Sequence, residues 1–600
     1  MTRRTDGGGG GAGSGTASAG AAGAAGDGSG SPPRLPASAR ALVRRLVELR
    51  ADFSEPARVM RFALLERLAD TEILDPRTLL DYHEALLFTR AYPDDARTFR
   101  LACREARGFA ARVQRLRAFD PDAAAELEDS GLVETPMYYR YDFSVVDWLV
   151  RWYGDTLDID WGEFEETEKI DHLLPLCCAW VENDALDLAD IGTREWLEMR
   201  RGGHGRSSLR WLLDRLAHAI PDHAARMRVY DALDLPVVWQ LGDLPAARTH
   251  AGSASARPYY HADGLLRRID DFGAEITRPL EAIRRAPASR AASLIKLVRS
   301  TLAVRHRALY PIDFAARDEV LVADVGRGYE LVLFGMQPAW RLPVESDYGV
   351  LVLKNGFVFG YGVGAMLFDD IELAVNIFET WRGGESRYVF AQFVRVFHAH
   401  FGSTRFKIER YQVGYENEEG IQSGSFWFYY NLGFVPRLEE VRELAAAERA
   451  KIRRDRGYRS SVRVLERLAE SDLYLTLDPD RDPFAPDFPI ADLSLAVTRL
   501  IGERHDGDAV QATAAATESV ARALRCPGWR RWPEPQRIAF ERLSLVMTLV
   551  PGLERWPSRD KQALVALLRA KGKAGEAEYA RRMVEHRRLR RALEEVVRGA

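Results

Sequence analysis

The apolar positions in the first half of the chain recur with the period of an α-helix. Leu79, Tyr82 and Leu86 stand at helical spacing directly after Asp75-Pro76. Aspartate before proline favours a helix start, because the carboxylate caps free backbone N–H groups and proline has no N–H to satisfy. Similar stripes continue without a fixed repeat length. The pattern predicts a helical region over residues 39–318.

Near residue 319 the apolar positions change to runs typical of β-strands. The segment EVLVADVGRGYELVLFGM predicts two strands joined at Gly326-Arg327-Gly328. The next segment, YGVLVLKNGFVFGYG, predicts a hairpin with Asn355-Gly356 in its tight turn. A further strand, a helix that ends at Gly402, another strand and a second helix follow. This order predicts a mixed α/β domain over residues 319–437.

The helical pattern returns after Pro436 and predicts a helical region over residues 438–600. Six arginines lie between Arg581 and Arg591 in the last helix. A basic helix can bind nucleic acid or a membrane surface, but glutamates interrupt this one. We therefore favour a solvated helix that docks through one apolar face, formed by Tyr579, Met583, His586, Leu589 and Leu593.

Composition is that of a globular protein, with 46% hydrophobic and 29% charged residues. Residues 1–38 are dominated by Gly, Ala and Ser and are predicted to be disordered. No apolar run reaches the ~18 residues that cross a bilayer, and none of the four cysteines forms a CxxC pair. We therefore expect a cytoplasmic protein without membrane contact. The predicted fold class is α+β multidomain, with N- and C-terminal all-helical regions around the mixed domain.

The net charge of −4 predicts no global field that would attract a polyanion. On this ground no nucleic-acid partner is expected. The net charge of the whole chain does not decide whether a local basic patch exists. A small-molecule or protein amine acceptor and a protein partner of the helical regions remain as candidate partners.

The segment Trp381-Arg382-Gly383-Gly384-Glu385-Ser386-Arg387 stands between a predicted strand and a predicted helix. A helix N-terminus suits a diphosphate because its unpaired N–H groups point outward, and glycine lets the backbone come close. Arg382, Gly383 and Gly384 fit such a loop. Glu385 would repel a phosphate, which Arg387 would offset in part. The alternative is that Glu385 only stabilises its own helix start and that nothing binds.

This loop and a later segment resemble the GNAT superfamily of N-acetyltransferases. The later segment, Phe428-Tyr429-Tyr430-Asn431-Leu432-Gly433-Phe434, is similar to that superfamily's late helix and turn. The resemblance covers residues 320–437 alone. It implies a GNAT-like acyltransferase domain that binds acetyl-CoA or another acyl-CoA. It further implies a pyrophosphate loop containing Arg382, Gly383, Gly384, Ser386 and Arg387.

The resemblance also implies roles for single residues. Tyr429 lies where the superfamily has its general acid, and the alternative is a packing role among neighbouring aromatic residues. Alternation along IELAVNIF puts Glu372 and Asn376 on the polar face of the strand that, by resemblance, lines the acyl site. Glu372 is the candidate base for the acceptor amine, unless it is an edge carboxylate in solvent. Asn376 and Gln422 are candidate cofactor contacts; the superfamily often has asparagine where Gln422 stands.

Motifs for other kinds of site are absent or have the wrong residue spacing. His398 and His400 are two residues apart on a predicted helix, so they point about 200° apart and cannot share a metal. The acidic stretch 155–168 lacks the glycine and glutamate positions of a calcium loop. The chain contains no GxSxG nucleophile elbow, and no phosphate-binding glycine motif follows a strand. The sequence predicts no metal site.

Three functions follow as hypotheses. The first is an acyl-CoA-dependent N-acyltransferase with Tyr429 as acid and Glu372 as base. The second is a non-catalytic scaffold or interaction protein that retains a degenerate GNAT-like fold. The third is transfer from an aminoacyl-tRNA, which requires a basic groove.

Overall fold

The computed structural model describes residues 35, 37–188, 190–202, 205–253, 257–455 and 457–599. Apart from residues 35, 37 and 38, the predicted disordered tail lies outside the described residues. A large mixed sheet occupies the middle of the chain, and helices dominate both ends. The coarse α+β prediction is thereby confirmed.

The N-terminal region is mainly helical. The helix start at Asp75 is confirmed, since its side chain accepts from the Thr78 N–H and Pro76 is the first helical residue. The helices are α1 (Ala39–Leu49), α2 (Glu55–Ala69), α3 (Pro76–Ala91), α4 (Ala96–Arg107), α5 (Phe109–Phe119), α6 (Pro121–Ala125), α7 (Phe143–Tyr153), α8 (Glu168–Asp171), α9 (Leu174–Cys177), α10 (Asn183–Leu188), α11 (Thr193–Arg201), α12 (Ser208–Ala219) and α13 (His223–Leu233).

This region is not all-helical, which corrects the prediction. Three short strands, β1 (Pro136–Tyr139), β2 (Leu157–Ile159) and β3 (Val237–Gln240), form an antiparallel sheet with β3 in the centre. Strands of three or four residues are too short to show alternation against a helical background. The fully buried Trp239 on β3 anchors this sheet in the N-terminal core.

The large sheet has nine strands in the order β11-β12-β10-β9-β8-β7-β6-β5-β4. It extends beyond residues 319–437 on both sides, because β4 precedes that range and β12 follows it. The strands are β4 (Ile283–Arg285), β5 (Ala315–Gly326), β6 (Tyr329–Met336), β7 (Ser346–Lys354), β8 (Phe357–Leu367), β9 (Asp370–Ile377), β10 (Arg405–Ile408), β11 (Val435–Pro436) and β12 (Leu473–Thr476).

Helices cover both faces of this sheet. On β6, Leu331 and Leu333 face one core, whereas Val332 and Phe334 face the other, as strand alternation requires. One core contains α17 and the other contains α15 and α16. The helices of this part are α14 (Phe272–Thr277), α15 (Ala288–Ala303), α16 (Tyr310–Asp313), α17 (Ser386–Phe401), α18 (Arg410–Val413), α19 (Glu418–Ser423) and α20 (Ser425–Tyr430).

The predicted hairpin turn at Asn355-Gly356 and the predicted connection between two strands at Gly326-Arg327-Gly328 are both confirmed. Asn355 and Gly356 have φ of 50° and 82°, and Arg327 and Gly328 have φ of 54° and 75°. Positive φ at both central residues matches the twist of the flanking strands. The two turns lie side by side, because the Asn355 N–H donates to the Gly328 carbonyl at 2.7 Å.

One strand pair of the sheet is parallel. β9 pairs with β10 only at Asp370–Arg405, Ile371–Phe406 and Glu372–Lys407. β9 then continues to Ile377 while β10 ends at Ile408, so the second half of β9 has β8 as its strand neighbour. The connection between the two parallel strands is α17, which ends at Gly402 as predicted.

Residues 490–599 pack around a separate core that also includes Val344 and Phe368, whereas residues 439–476 join the core that contains α17. The last predicted helix is two helices that meet at His586, and the docking of its apolar face is confirmed by the burial of Tyr579, Met583, Leu589 and Leu593. No helix in the described part of the chain is long and apolar enough to span a membrane. The helices are α21 (Glu439–Arg454), α22 (Val462–Leu468), α23 (Ile490–His505), α24 (Ala509–Ala523), α25 (Glu534–Met547), α26 (Ser558–Lys571), α27 (Ala577–Glu585) and α28 (Arg587–Gly599).

Candidate functional site

The candidate phosphate loop joins β9 to α17, at the end of the sheet that carries the two hairpin turns. Trp381 anchors the loop, because its buried indole Nε1–H donates to the Val358 carbonyl at 3.0 Å. Gly383 adopts a positive φ of 81°, and a Cβ there would meet open space. Gly384 is buried. The loop therefore has one open side and one packed side.

Glu385 occupies the packed side. Its carboxylate is fully buried and accepts from Arg327 Nε at 2.8 Å, Arg327 Nη2 at 2.5 Å and the Leu266 N–H at 2.8 Å. Lys354 Nζ lies 3.5 Å from the other carboxylate oxygen. Burial acts to raise the pKa of Glu385, but Lys354 and Arg327 outweigh it and hold the pKa below its ordinary value. Glu385 is thus an ionised structural group.

The N-terminal region covers the same side of the loop. Tyr92, which directly follows α3, hydrogen-bonds through its hydroxyl to the Tyr329 hydroxyl at 2.8 Å and accepts from the Glu385 N–H at 3.3 Å. A Cβ at Gly384 would collide with the Tyr92 hydroxyl. The glycine therefore permits the close approach of a tyrosine, and protein atoms fill that part of the loop.

Two more contacts hold α3 on the loop. The Thr380 hydroxyl donates to the carboxylate of Glu84, and the rings of Phe88 and Trp381 stack with centroids 6.4 Å apart. Thr380 and Trp381 are both buried by this contact. The loop is consequently part of the interface between the sheet and the N-terminal helices.

Buried bases surround Glu385. Lys354 is completely buried, and its ammonium group donates to the Arg327 carbonyl and lies 4.2 Å from the centre of the Tyr329 ring. Burial lowers the pKa of Lys354 to about 7 although Glu385 opposes this. Burial also lowers the pKa of His261 to about 4, and His261 Nδ1 lies 4.0 Å from Glu385. Sequence reasoning missed this cluster; the one signal was a lysine at the end of an apolar run.

The arginines and serine of the loop lie on its other side. Arg382 Nε donates to the Ile377 carbonyl at 3.3 Å, and its guanidinium forms an ion pair with Glu419 of α19. Ser386 is the first residue of α17, and Arg387 lies in the first turn, partly exposed. Arg382 thereby ties the end of β9 to α19 across the region where β9 and β10 have separated.

Tyr429 lies in an apolar environment on α20. Its side chain is 6% exposed and packs edge-on against Phe390 and Phe434, with ring centroids 5.2 Å and 6.1 Å away. Burial raises the pKa of its phenol above the ordinary value. The residue therefore remains protonated at neutral pH and contributes to the core around α17.

The remaining candidates have partners other than Tyr429. Glu372 is exposed on the paired half of β9 and accepts from Lys407 Nζ at 3.0 Å. Asn376 lies on the half of β9 that pairs with β8 but not with β10, opposite Tyr361. Gln422 is exposed on α19 and donates to Glu418 at 2.8 Å. The structure thus brings Arg382 into contact with α19. Glu372 and Tyr429, the candidate base and acid, contact different residues.

No cluster of three or more His, Cys, Asp or Glu residues suited to a metal ion occurs among the described residues. Comparison of the chain with protein-family models, curated proteins and solved structures finds no match. The functional argument therefore depends on the geometry of the loop and of the helices around it.

Proposed function

We propose that this chain is a non-catalytic scaffold or interaction protein that retains a degenerate GNAT-like fold. The observation that carries the proposal is the filling of the candidate phosphate loop by Tyr92 and Glu385. A coenzyme A diphosphate needs free N–H groups and space at a helix N-terminus. Here the Glu385 N–H faces the Tyr92 hydroxyl, and the buried carboxylate of Glu385 would repel a phosphate.

The electrostatics support the same function. Arg327 and Lys354 are the cations nearest the packed side of the loop, and both are engaged by Glu385. Arg382, on the open side, is paired with Glu419. An incoming diphosphate would have to displace buried ion pairs, and removing one partner of such a pair costs about 3–5 kcal/mol. The loop thus holds α3 against the sheet instead of holding a cofactor.

Thermal unfolding of the full chain with acetyl-CoA and with longer acyl-CoAs tests this function. A ligand at a hundredfold excess over its Kd would add about 2.7 kcal/mol of stability. We expect no change in Tm with any of these compounds. A rise in Tm that the Arg382→Ala variant abolishes would contradict the proposal, because it would show that the loop binds the cofactor.

A second candidate is transfer of an acyl group from acyl-CoA to an amine. Two observations favour it: β9 separates from β10 beyond Glu372, and Gly383 faces open space. By resemblance, Tyr429 would protonate the leaving thiolate and Glu372 would accept the proton of the amine. Thiol release from acyl-CoA should then slow in the Tyr429→Phe variant while cofactor binding persists. Absence of thiol release by the unmodified chain with a panel of amines would eliminate this candidate.

A further inference from the structure

Helix α4 presents a row of exposed arginines. Arg97, Arg100, Arg104 and Arg107 are all exposed and follow at intervals of three, four and three residues, which places them on one face. Like charges at such spacings each cost a helix about 0.2–0.5 kcal/mol. The buried side of α4 consists of other residues, namely Thr98, Leu101, Ala102 and Ala106. Packing therefore does not explain the arginine row.

The row borders a groove of about 560 Å³ between α2 and α4. Phe62, Phe99 and Leu101 give it an apolar part, and Glu66 is the one acidic residue among those that line it. Glu66 engages Arg97 at 3.2 Å. Glu105, which does not line the groove, lies 3.9 Å from Arg104 but also pairs with Arg112 at 2.9 Å. The positive charge of the row therefore remains in excess. The lining residues are Phe62, Glu66, Arg97, Phe99, Arg100, Leu101, Cys103, Arg104 and Arg107.

A fifth arginine lies close to this groove. Arg90 of α3 is 8% exposed and lies over the Phe357 ring at 4.1 Å from its centre. Phe357 packs against Phe99, which lines the groove, with ring centroids 6.3 Å apart. Arg90 Nη1 donates to the Thr249 carbonyl at 2.8 Å, whereas its Nε has no hydrogen-bond partner in the described chain. Among the described residues no carboxylate forms an ion pair with Arg90, so its charge adds to the field of the row.

We propose that this groove binds a single-stranded nucleic acid. Guanidinium groups bind phosphates through two parallel hydrogen bonds. At 1.5 Å of rise per residue, the row extends about 15 Å along the helix axis with arginines about 4–6 Å apart, which suits several consecutive phosphates of one strand. The inference goes beyond the scaffold function and holds whether or not the chain binds acyl-CoA.

The phenylalanine rings of the groove favour a single strand over a duplex and over an acidic peptide. The Arg97 guanidinium already stacks on the Phe62 ring at 3.7 Å, and Phe99 also lines the groove. Unpaired bases stack on such rings and guanidinium planes, whereas a duplex keeps its bases inside. Carboxylates of a peptide would match the arginines but would leave this stacking surface unused.

Fluorescence anisotropy of the full chain with a labelled oligouridylate of about 12 nucleotides tests the inference. We expect binding at about 50 mM salt that weakens as the salt concentration rises. The logarithm of the association constant should fall with the logarithm of the salt concentration, with a slope of about 0.7 per phosphate contact. Arg100→Ala/Arg104→Ala should weaken binding at least about tenfold and lower the slope by about 1.4. Its Tm should not fall, because both side chains are exposed and their loss relieves repulsion between like charges on α4.

The matched control is Arg587→Ala/Arg591→Ala, a pair of exposed arginines with the same spacing on α28. This variant should bind the oligouridylate as the unmodified chain does. An equal loss in the control would overturn the inference, because any basic surface would then suffice. Equally tight binding of a duplex, equally effective competition by polyglutamate, or absence of binding at low salt would overturn it as well.

Discussion

At the scale of single residues, Glu385 is the side chain on which the candidate site depends. Glu385→Gln keeps the shape of the side chain but removes the charge opposite Arg327 and Lys354. Since the carboxylate is completely buried, we expect the free energy of unfolding to fall by about 3–5 kcal/mol. Urea unfolding at pH 7 measures this difference. Glu379→Gln, an exposed neighbour in the same loop, should leave stability unchanged.

The same variant predicts a pH dependence. The folded pKa of Glu385 lies below its ordinary value of 4.5, so the unfolded chain binds the proton more readily. Glu385 therefore stabilises the fold above pH 4.5, and this contribution is lost as pH falls through the folded pKa. The stability difference between the unmodified chain and Glu385→Gln should shrink steadily below pH 4.5. A difference independent of pH would show that the charge of Glu385 is not its cause.

From the sequence, Glu385 was recognised as a residue that does not suit a phosphate loop. The sequence left open whether its carboxylate stabilises the start of its own helix instead. It could not predict the actual partners. Arg327 is 58 residues away in the chain, and it reaches Glu385 because neighbouring strands bring a hairpin turn to the end of β9. Tyr92 comes from another region altogether. Such partners depend on tertiary packing, and the local pattern of a single sequence does not show which distant residues pack together.

At the scale of secondary structure, the turn at Asn355-Gly356 shows what local sequence determines. The dipeptide predicts the hairpin, and positive φ at both residues confirms it. The Asn355 side chain has a further role that the dipeptide did not reveal. It is buried, donates to the carbonyls of Ala91 and Tyr259 at 2.9 and 3.0 Å, and accepts from the Tyr259 N–H at 2.7 Å.

Asn355→Gly separates the two roles of this residue. Glycine adopts positive φ readily, so the turn should remain, while three hydrogen bonds to the N-terminal region are lost. We expect the free energy of unfolding to fall by about 1–3 kcal/mol, because buried polar groups are left without partners. Urea unfolding measures the loss, and limited proteolysis should show faster cleavage after α3. Unchanged stability would mean that the turn alone explains the asparagine.

The strands that the sequence missed are all short. β4 has three residues, two of them arginines, and β12 has four. Neither length shows a period of two, and both strands pair at or near the edge of a sheet whose central strands were predicted. The long runs at β6 and β7 were recognisable because both of their faces are buried, which makes them almost continuously apolar. β9 was recognisable from its alternation of apolar and polar residues.

At the scale of the whole molecule, the C-terminal helices are joined to the sheet by a buried ionic cluster. Arg341 lies beyond β6 and is 5% exposed. Its guanidinium donates to Glu319 at 3.0 Å and to the Met336 carbonyl at 3.0 Å. It also donates to the carbonyls of Lys571, Lys573 and Ala574 at 2.6, 2.7 and 2.9 Å. The segment between α26 and α27 is thereby held against the sheet.

Replacing this arginine should uncouple the C-terminal region from the sheet. Arg341→Ala leaves the buried Glu319 without its cation and frees three carbonyls of the 571–574 segment, at a cost of about 3–5 kcal/mol. Helices α23 to α28 have a core of their own, so they should unfold separately from the sheet once this connection is weakened. Calorimetry should show one transition in the unmodified chain and two in the variant.

Arg341→Lys should give an intermediate result, because it retains the charge but reaches fewer carbonyls. A single transition at an unchanged Tm in Arg341→Ala would show that apolar packing alone joins the two regions.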